Sequence, residues 1–345
     1  MLKHSLTKNQ FTVFSIFSIL LSITLSFLVF YQIQNPPSIL LEQDKTQDTK
    51  ILIFGDMMLD RHVREKINKN GAEYPFELIK NIIKNNDIVV VNAEGPFTSF
   101  ESVTIGKRNG PLTFTFDPII LTTLKNLGFT LLGQANNHTL NFGFEGFNQS
   151  KNFITKAGLD YFGDPLNKNI NPYIYKNKVG LIAYNEFSYQ GKNEIISAIK
   201  ELKKNVSYLI VYAHWGEEYN QNFTKSQQET AYEFIDAGAD SIIGMHPHVI
   251  EPIEFYKDKP IFYSLGNFIF DQAITGPTTE GFALQIIINE NNINYEIIPY
   301  FIKSAQVSLM DIENKQRVLN FLSENSTVSD PIKNKISEGK IIMNI

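Results

Sequence analysis

Cysteine is absent from all 345 residues. Disulfides are therefore excluded, and so is any metal site built on thiolate; a bound metal has to be held by nitrogen and oxygen donors. A basic block is also missing. The 31 Lys and Arg stand against 36 Asp and Glu, giving a formal net charge of -5, so nucleic acid is not expected as a partner. Tryptophan occurs once, at Trp215. Long apolar runs are lacking too, with one exception. From Phe11 to Tyr31 the chain carries no charge and is rich in Phe, Ile, Leu and Val, about the length a helix needs to cross a bilayer.

No Ala-x-Ala pattern follows this run, which favours an uncleaved anchor over a secretory signal. Lys3 and Lys8 precede it without any acid, so the positive-inside rule places residues 1–10 in the cytoplasm. The expectation is one transmembrane helix over residues 11–31, in contact with the membrane bilayer. A polar tether over 32–49 follows, containing Pro36-Pro37, and then an extracytoplasmic domain. The domain is expected over 50–305, with residues 306–345 packing on it as a C-terminal extension. A hydrophobic content of 43% supports a sizeable core.

Short apolar runs recur through the folded part: Ile51–Phe54, Ile88–Val91, Phe129–Leu132, Val179–Ala183, Tyr208–Tyr212 and Ser241–Ile243. Each reads as a buried strand. Helical spacing lies between them. Asp117-Pro118 opens one helix, which Gly128 ends; Ser226 and Glu229 have the spacing of a capping box for another, stopped by Gly238. Strands alternating with helices imply an α/β core. Beyond Glu251 the pattern is mainly strand, with one more helix near Asp311–Leu322. The stretches 168–177 and 289–294, rich in Asn and Lys, read as solvated loops.

Residues capable of holding metal follow five of these strands. Asp56 follows the first, Glu94 the second, Asn137 and His138 the third, His214 another, and His246 and His248 the last. Strand ends gathered at one sheet edge are where α/β proteins build sites. Imidazole, carboxylate and amide donors brought together there suit a two-metal hydrolytic centre. His246-Pro247-His248 in an extended segment would point both rings the same way. Trp215 either packs beneath the loop carrying His214 or stacks on a substrate.

The motifs Gly-Asp-x-Met-Leu at 55–59, Asn-x-Glu at 92–94, Ala-Asn-Asn-His at 135–138, His-Trp-Gly-x-Glu-Tyr at 214–219, His-Pro-His-Val at 246–249 and Tyr-Ser-Leu-Gly-Asn-Phe-Ile-Phe-Asp at 263–271 stand in the order seen in the CapA family. The chain resembles these capsule or poly-γ-glutamate synthesis proteins, which look like calcineurin-type metallophosphoesterases. The resemblance implies a four-layer α/β fold, a metallophosphoesterase-like β-sandwich flanked by helices. It assigns Asp56 and His248 to a first metal, His214 and His246 to a second, Glu94 to the bridge between them and Asn137 to an amide ligand. His138 would protonate a leaving group, and Arg61 either holds an anionic oxygen or forms a surface salt bridge. The cofactors implied are one or two divalent ions, Mn, Zn or Fe. The partners implied are membrane polymer-synthase subunits and an anionic polymer or phosphoester substrate.

Four positions depart from these patterns. Metallophosphoesterases begin Asp-x-His, and here Met58 stands second, a poor donor to hard ions. The bridging carboxylate is Glu94 rather than Asp. Asn141 stands where the family usually has Asp, and Glu251 where it has Gln. Three readings follow: a polymer-handling CapA-like protein, a surface phosphoesterase, or a scaffold without catalysis. Asn267 and Asp271 are strand and turn residues or site residues on this view.

Overall fold

The computed structural model describes residues 48–105, 107, 111–272 and 276–344. The expected anchor at 11–31 and most of the tether lie outside the described residues. Among the described residues no helix is long and apolar enough to cross a membrane.

The chain first lays down one half of a sheet. Strands β1 (Thr49–Met57), β2 (Ile88–Ala93), β3 (Leu131–Gly133) and β4 (Asp160–Phe162) lie side by side in parallel. It then builds a second sheet from β5 (Tyr173–Tyr175), β6 (Val179–Asn185), β7 (Tyr208–His214), β8 (Ser241–Met245), β9 (Ile253–Tyr256) and β10 (Lys259–Phe262). The spatial order there is β5-β6-β7-β8-β10-β9. Finally it returns to the first sheet with β11 (Asn267–Ile269), β12 (Glu280–Ile288), β13 (Asn292–Lys303), β14 (Gln306–Leu309) and β15 (Lys340–Asn344). There β12 pairs antiparallel with β1, β13 with β12, and both β14 and β15 with β13. Residues 306–344 thus give two strands to the main sheet.

Alternation along the strands explains the layering. Ile51 and Ile53 of β1 face inward with Ile88, Val90 and Leu131, against Leu181, Ile210, Tyr212 and Ile243 of the second sheet. Leu52 and Phe54 face the other way, with Val89, Val91 and Leu132. That outer face is covered by helices α1 (Arg61–Asn70), α2 (Lys80–Ile83), α3 (Ile120–Leu127) and α4 (Gly143–Lys156). Helices α5 (Lys192–Lys203) and α6 (Lys225–Ala237) cover the outer face of the second sheet through Ile195, Ile199, Ala231 and Phe234. Helices α7 (Ile312–Asn325) and α8 (Asp330–Ser337) reach the inner core through Val318, Leu319, Leu322 and Ile336. The layers run helix, sheet, sheet, helix. Strands buried on both faces read as unbroken apolar runs for this reason.

Some expectations need correction. Helix α6 begins earlier than the Ser226–Glu229 spacing suggests: Thr224 and Gln227 form the capping box. Ser226 donates instead to Glu186 Oε1 at 2.7 Å, and Glu229 pairs with Lys225. The stretch read as a loop at 168–177 contains β5, an edge strand whose alternation is hidden by its short length. Strand β13 begins at Asn292, inside the second stretch read as a loop, because Asn289 closes a tight turn onto Asn292.

One contact locks the edge where the candidate residues gather. A Cβ on Gly55 would stand 1.8 Å from the carbonyl oxygen of Gly266, so β1 and the chain entering β11 touch backbone to backbone. Replacing Gly55 by Ala should cost about 3 kcal/mol or more, since the obstacle is main chain and cannot turn aside. Urea unfolding of G55A checks this; a midpoint equal to that of the wild type refutes it.

Candidate metal centre

Just before Asp56 the pairing of β1 with β2 slips by one residue: Ile53 faces Val90, but Asp56 faces Asn92. Such a bulge re-aims a side chain. Asp56 is buried, accepts from Asn92 Nδ2 at 2.7 Å and takes the His246 backbone N–H at 2.9 Å. Glu94 follows β2 directly and is also fully buried. His214 ends β7, and His246 follows β8, whose Met245 pairs with His214. Two neighbouring strand ends thereby bring the His214 and His246 rings to 4.8 Å between centroids.

The segment 246–248 is not extended, contrary to expectation. His246 and His248 both have left-handed backbone, at φ 98° and 60°. Non-glycine residues held there carry strain of about 1–3 kcal/mol, which clusters at functional sites. The turn still brings the two rings to 5.7 Å.

Donor atoms fall into two groups that share one carboxylate. Asp56, Glu94 and His248 offer atoms within 4.8 Å of one another, and so do Glu94, His214 and His246. His138 joins them: its Nε2 lies 3.7 Å from Glu94 Oε1. Asn137 reaches His214 instead, with its Oδ1 2.9 Å from Nε2. Arg61 is committed elsewhere. Its guanidinium is held by both carboxylate oxygens of Asp271, and it packs 5.8 Å from the Phe114 ring, which in turn lies against His138. Met58 is buried in the outer core, where its sulfur accepts the Asp60 N–H at 3.1 Å. Trp215 is fully buried with its indole donating to the Tyr263 carbonyl at 2.9 Å, so it packs beneath the His214 loop.

Sequence reasoning left Asn267 open between strand and site, and did not single out Gln272 or the partners of Asn92. Asn267 Oδ1 lies 2.9 Å from His248 Nδ1, while its amide reaches the Gln272 side chain and the Thr278 carbonyl. With Nδ1 so engaged, His248 Nε2 is turned to Glu94 Oε1 at 3.6 Å. Gln272 donates to the Tyr219 hydroxyl at 3.0 Å. Asn92 supports both Asp56 and His214. The Asn-x-Glu and Gly-Asn-Phe motifs contained this information, but nothing in their spacing says which partner each amide reaches.

The electrostatics of the cluster suit a cation. Both Glu94 oxygens and His246 Nδ1 are buried without a hydrogen-bond partner among the described residues. A carboxylate in that condition is costly. Burial, with Asp56 and Glu218 beside it, pushes the Glu94 carboxyl well up despite the opposing pull of His248. Burial lowers His246 to about 2 and His138 to about 4. Burial opposes charge on His248 as well, but Glu94 and Asp56 overcome it and raise the ring to about 9. Carboxylate and imidazole donors gathered in this way around Glu94 fit a divalent ion.

The sequence model described as "Bacterial capsule synthesis protein PGA_cap" matches residues 50–272. The chain belongs to this family. It is 30% identical over 300 residues to the capsule biosynthesis protein CapA of Bacillus anthracis, covering 80% of this chain and 73% of that one. It is 29% identical to the PGA biosynthesis protein CapA of Bacillus subtilis, covering 84% and 81%. Among solved structures, purple acid phosphatase PPD1 from yellow lupin aligns at 11% identity with a TM-score of 0.41, over 77% of this chain and 53% of that chain.

Two predictions follow from the protonation states. His138 Nδ1 lies 3.1 Å from Asn141 Oδ1. An Asn141→Asp change puts a negative charge there and should raise the His138 pKa from about 4 by about one to three units. Imidazole NMR titration of the metal-free protein reads this directly, and an unmoved value refutes it. His248, at about 9, carries a proton at pH 7, which a metal ligand must lose. Metal uptake at pH 7 should therefore release protons, with affinity weakening as the pH falls. Calorimetry in buffers of different ionisation enthalpy counts them; buffer-independent heats would contradict the assignment.

Proposed function

We propose that this CapA-family protein is a divalent-metal protein that acts in making or exporting an anionic capsule polymer of the poly-γ-glutamate kind. Residues 11–31 anchor it in the cell membrane, and the domain stands outside, beside membrane polymer-synthase subunits. The observation that carries the metal reading is Glu94, whose two buried oxygens have no hydrogen-bond partner among the described residues while His138, His246 and His248 surround it. The relatives named for capsule and PGA biosynthesis support the polymer.

Asp56, Glu94 and His248 would hold one ion, and His214 and His246 with Glu94 a second, with Asn137 beside His214. Mn, Zn or Fe suits these nitrogen and oxygen donors. Bound there, a divalent ion supplies Lewis acidity and positive charge against an anionic oxygen. The protein's own residues do the rest. Phe187 packs 4.2 Å from His246 and Phe270 4.8 Å from His248, which keeps water from those rings. His138 is neutral at pH 7, with Nδ1 engaged by Asn141 and Nε2 facing the site. It takes a proton at Nε2 before it can give one. Arg61, fixed by Asp271, packs on the Phe114 ring that lies against His138.

A second reading, hydrolysis of a phosphomonoester or diester, is favoured by the place of His138 Nε2 beside the shared carboxylate. The buried position of Met58 favours the third, a scaffold with little catalysis. Metal analysis of the full chain in detergent, with phosphoester turnover measured beside it, separates them. One or two divalent ions per chain are expected, with His246→Ala weakening binding by about 100-fold or more. A wild-type chain that takes up no Mn, Zn or Fe would sink the metal reading. Turnover lost in the variant makes the protein a phosphoesterase, and bound metal without turnover leaves polymer handling.

A further inference from the structure

We propose that Glu218 is a metal ligand, closing the centre over His246 and His248 from the loop after β7; this rests on the metal reading above. The carboxylate of Glu218 and a ring nitrogen from each histidine lie within 4.8 Å of one another. At that spacing the carboxylate can reach an ion held by either histidine.

The bland alternative is that an exposed glutamate beside a cleft is simply solvated. Three observations weigh against it. First, His246 is 4% exposed and its Nδ1 is without a partner. A buried imidazole with an unused nitrogen next to a carboxylate fits a shared ion. Second, the loop does not wander. Tyr219, at φ 66°, donates its backbone N–H to the Pro247 carbonyl at 2.8 Å, between the two histidines, and its hydroxyl accepts from Gln272. Glu218 is thereby held against the His-Pro-His turn. Third, the group formed by Asp56, Glu94 and His248 is short of donors. Met58 next along β1 has its sulfur turned to the Asp60 amide and away in the outer core. An oxygen from Glu218, arriving from the second sheet, fills that shortage.

The consequence concerns which ion binds. A third carboxylate beside Asp56 and Glu94 favours harder ions, Mn²⁺ or Fe²⁺, over an imidazole-rich zinc site. Against two divalent ions, three carboxylates still leave the centre positive, as an anionic substrate requires.

The test is Mn²⁺ binding by the full chain in detergent, followed by the electron paramagnetic resonance of free Mn²⁺. Wild type, Glu218→Gln, Glu218→Asp and His246→Ala are compared, with thermal unfolding of each in the absence of metal. Glu218→Gln should unfold like the wild type without metal and bind at least one Mn²⁺ about 10–100-fold more weakly. Glu218→Asp should recover part of that loss. If Glu218→Gln binds Mn²⁺ like the wild type while His246→Ala does not, Glu218 is a rim charge and the metal reading stands without it. If the wild type binds no Mn²⁺ at all, the Glu218 proposal falls, while the metal reading falls only if Zn and Fe are refused as well.

Discussion

Two carboxylates buried at one sheet edge, Asp56 and Glu94, govern the rest of this structure. Burying a charge costs several kcal/mol unless partners compensate it. Asp56 is compensated by the protein: the Asn92 amide and the His246 backbone N–H bond to it, and His248 stands close. Glu94 is less so; among the described residues neither of its oxygens has a hydrogen-bond partner, and His138 and His248 stand 3.7 and 3.6 Å from Oε1. The same edge thus holds one carboxylate bonded by amide donors and one that faces imidazoles.

The fold serves this arrangement by converging strands. Asp56, Glu94, His214 and His246 each lie at or beside the end of a strand, two in the first sheet and two in the second. The two sheets face each other across a shared apolar core, which brings the four ends together. The return of the chain through β11 completes the edge. Gly266 touches Gly55, Asn267 takes hold of His248 and Asp271 takes hold of Arg61. A late stretch of sequence therefore sets the geometry of Gly55 and Arg61, more than 200 positions earlier, as well as that of the nearby His248.

Rigidity around the centre comes from packing as well as hydrogen bonds. The rings of Phe187, Phe270 and Phe114 lie against His246, His248 and His138. Their apolar faces lower the local dielectric, which explains why burial is the largest influence on each of these imidazoles. Left-handed backbone at His246, His248 and Tyr219 shows the same insistence on position.

Much of this was legible in the sequence. Apolar runs mark β1, β2, β6, β7 and β8 because strands buried on both faces have no polar positions to break them. The polar residues that follow each run mark the edge where a site forms, and the motif order identifies the family. What the chain could not show by itself depends on contacts between distant segments. The short edge strand β5 and the late strands β11, β14 and β15 take their identity from the neighbours they pair with. The bulge before Asp56, the turn at His246–His248, the commitment of Arg61 to Asp271 and the approach of Glu218 to two imidazoles are likewise decided only once the sheets are stacked. Local periodicity fixes which residues are buried, because burial follows the pitch of a strand or helix. It cannot fix which buried donors meet, because that is set by where separate elements come to rest against one another.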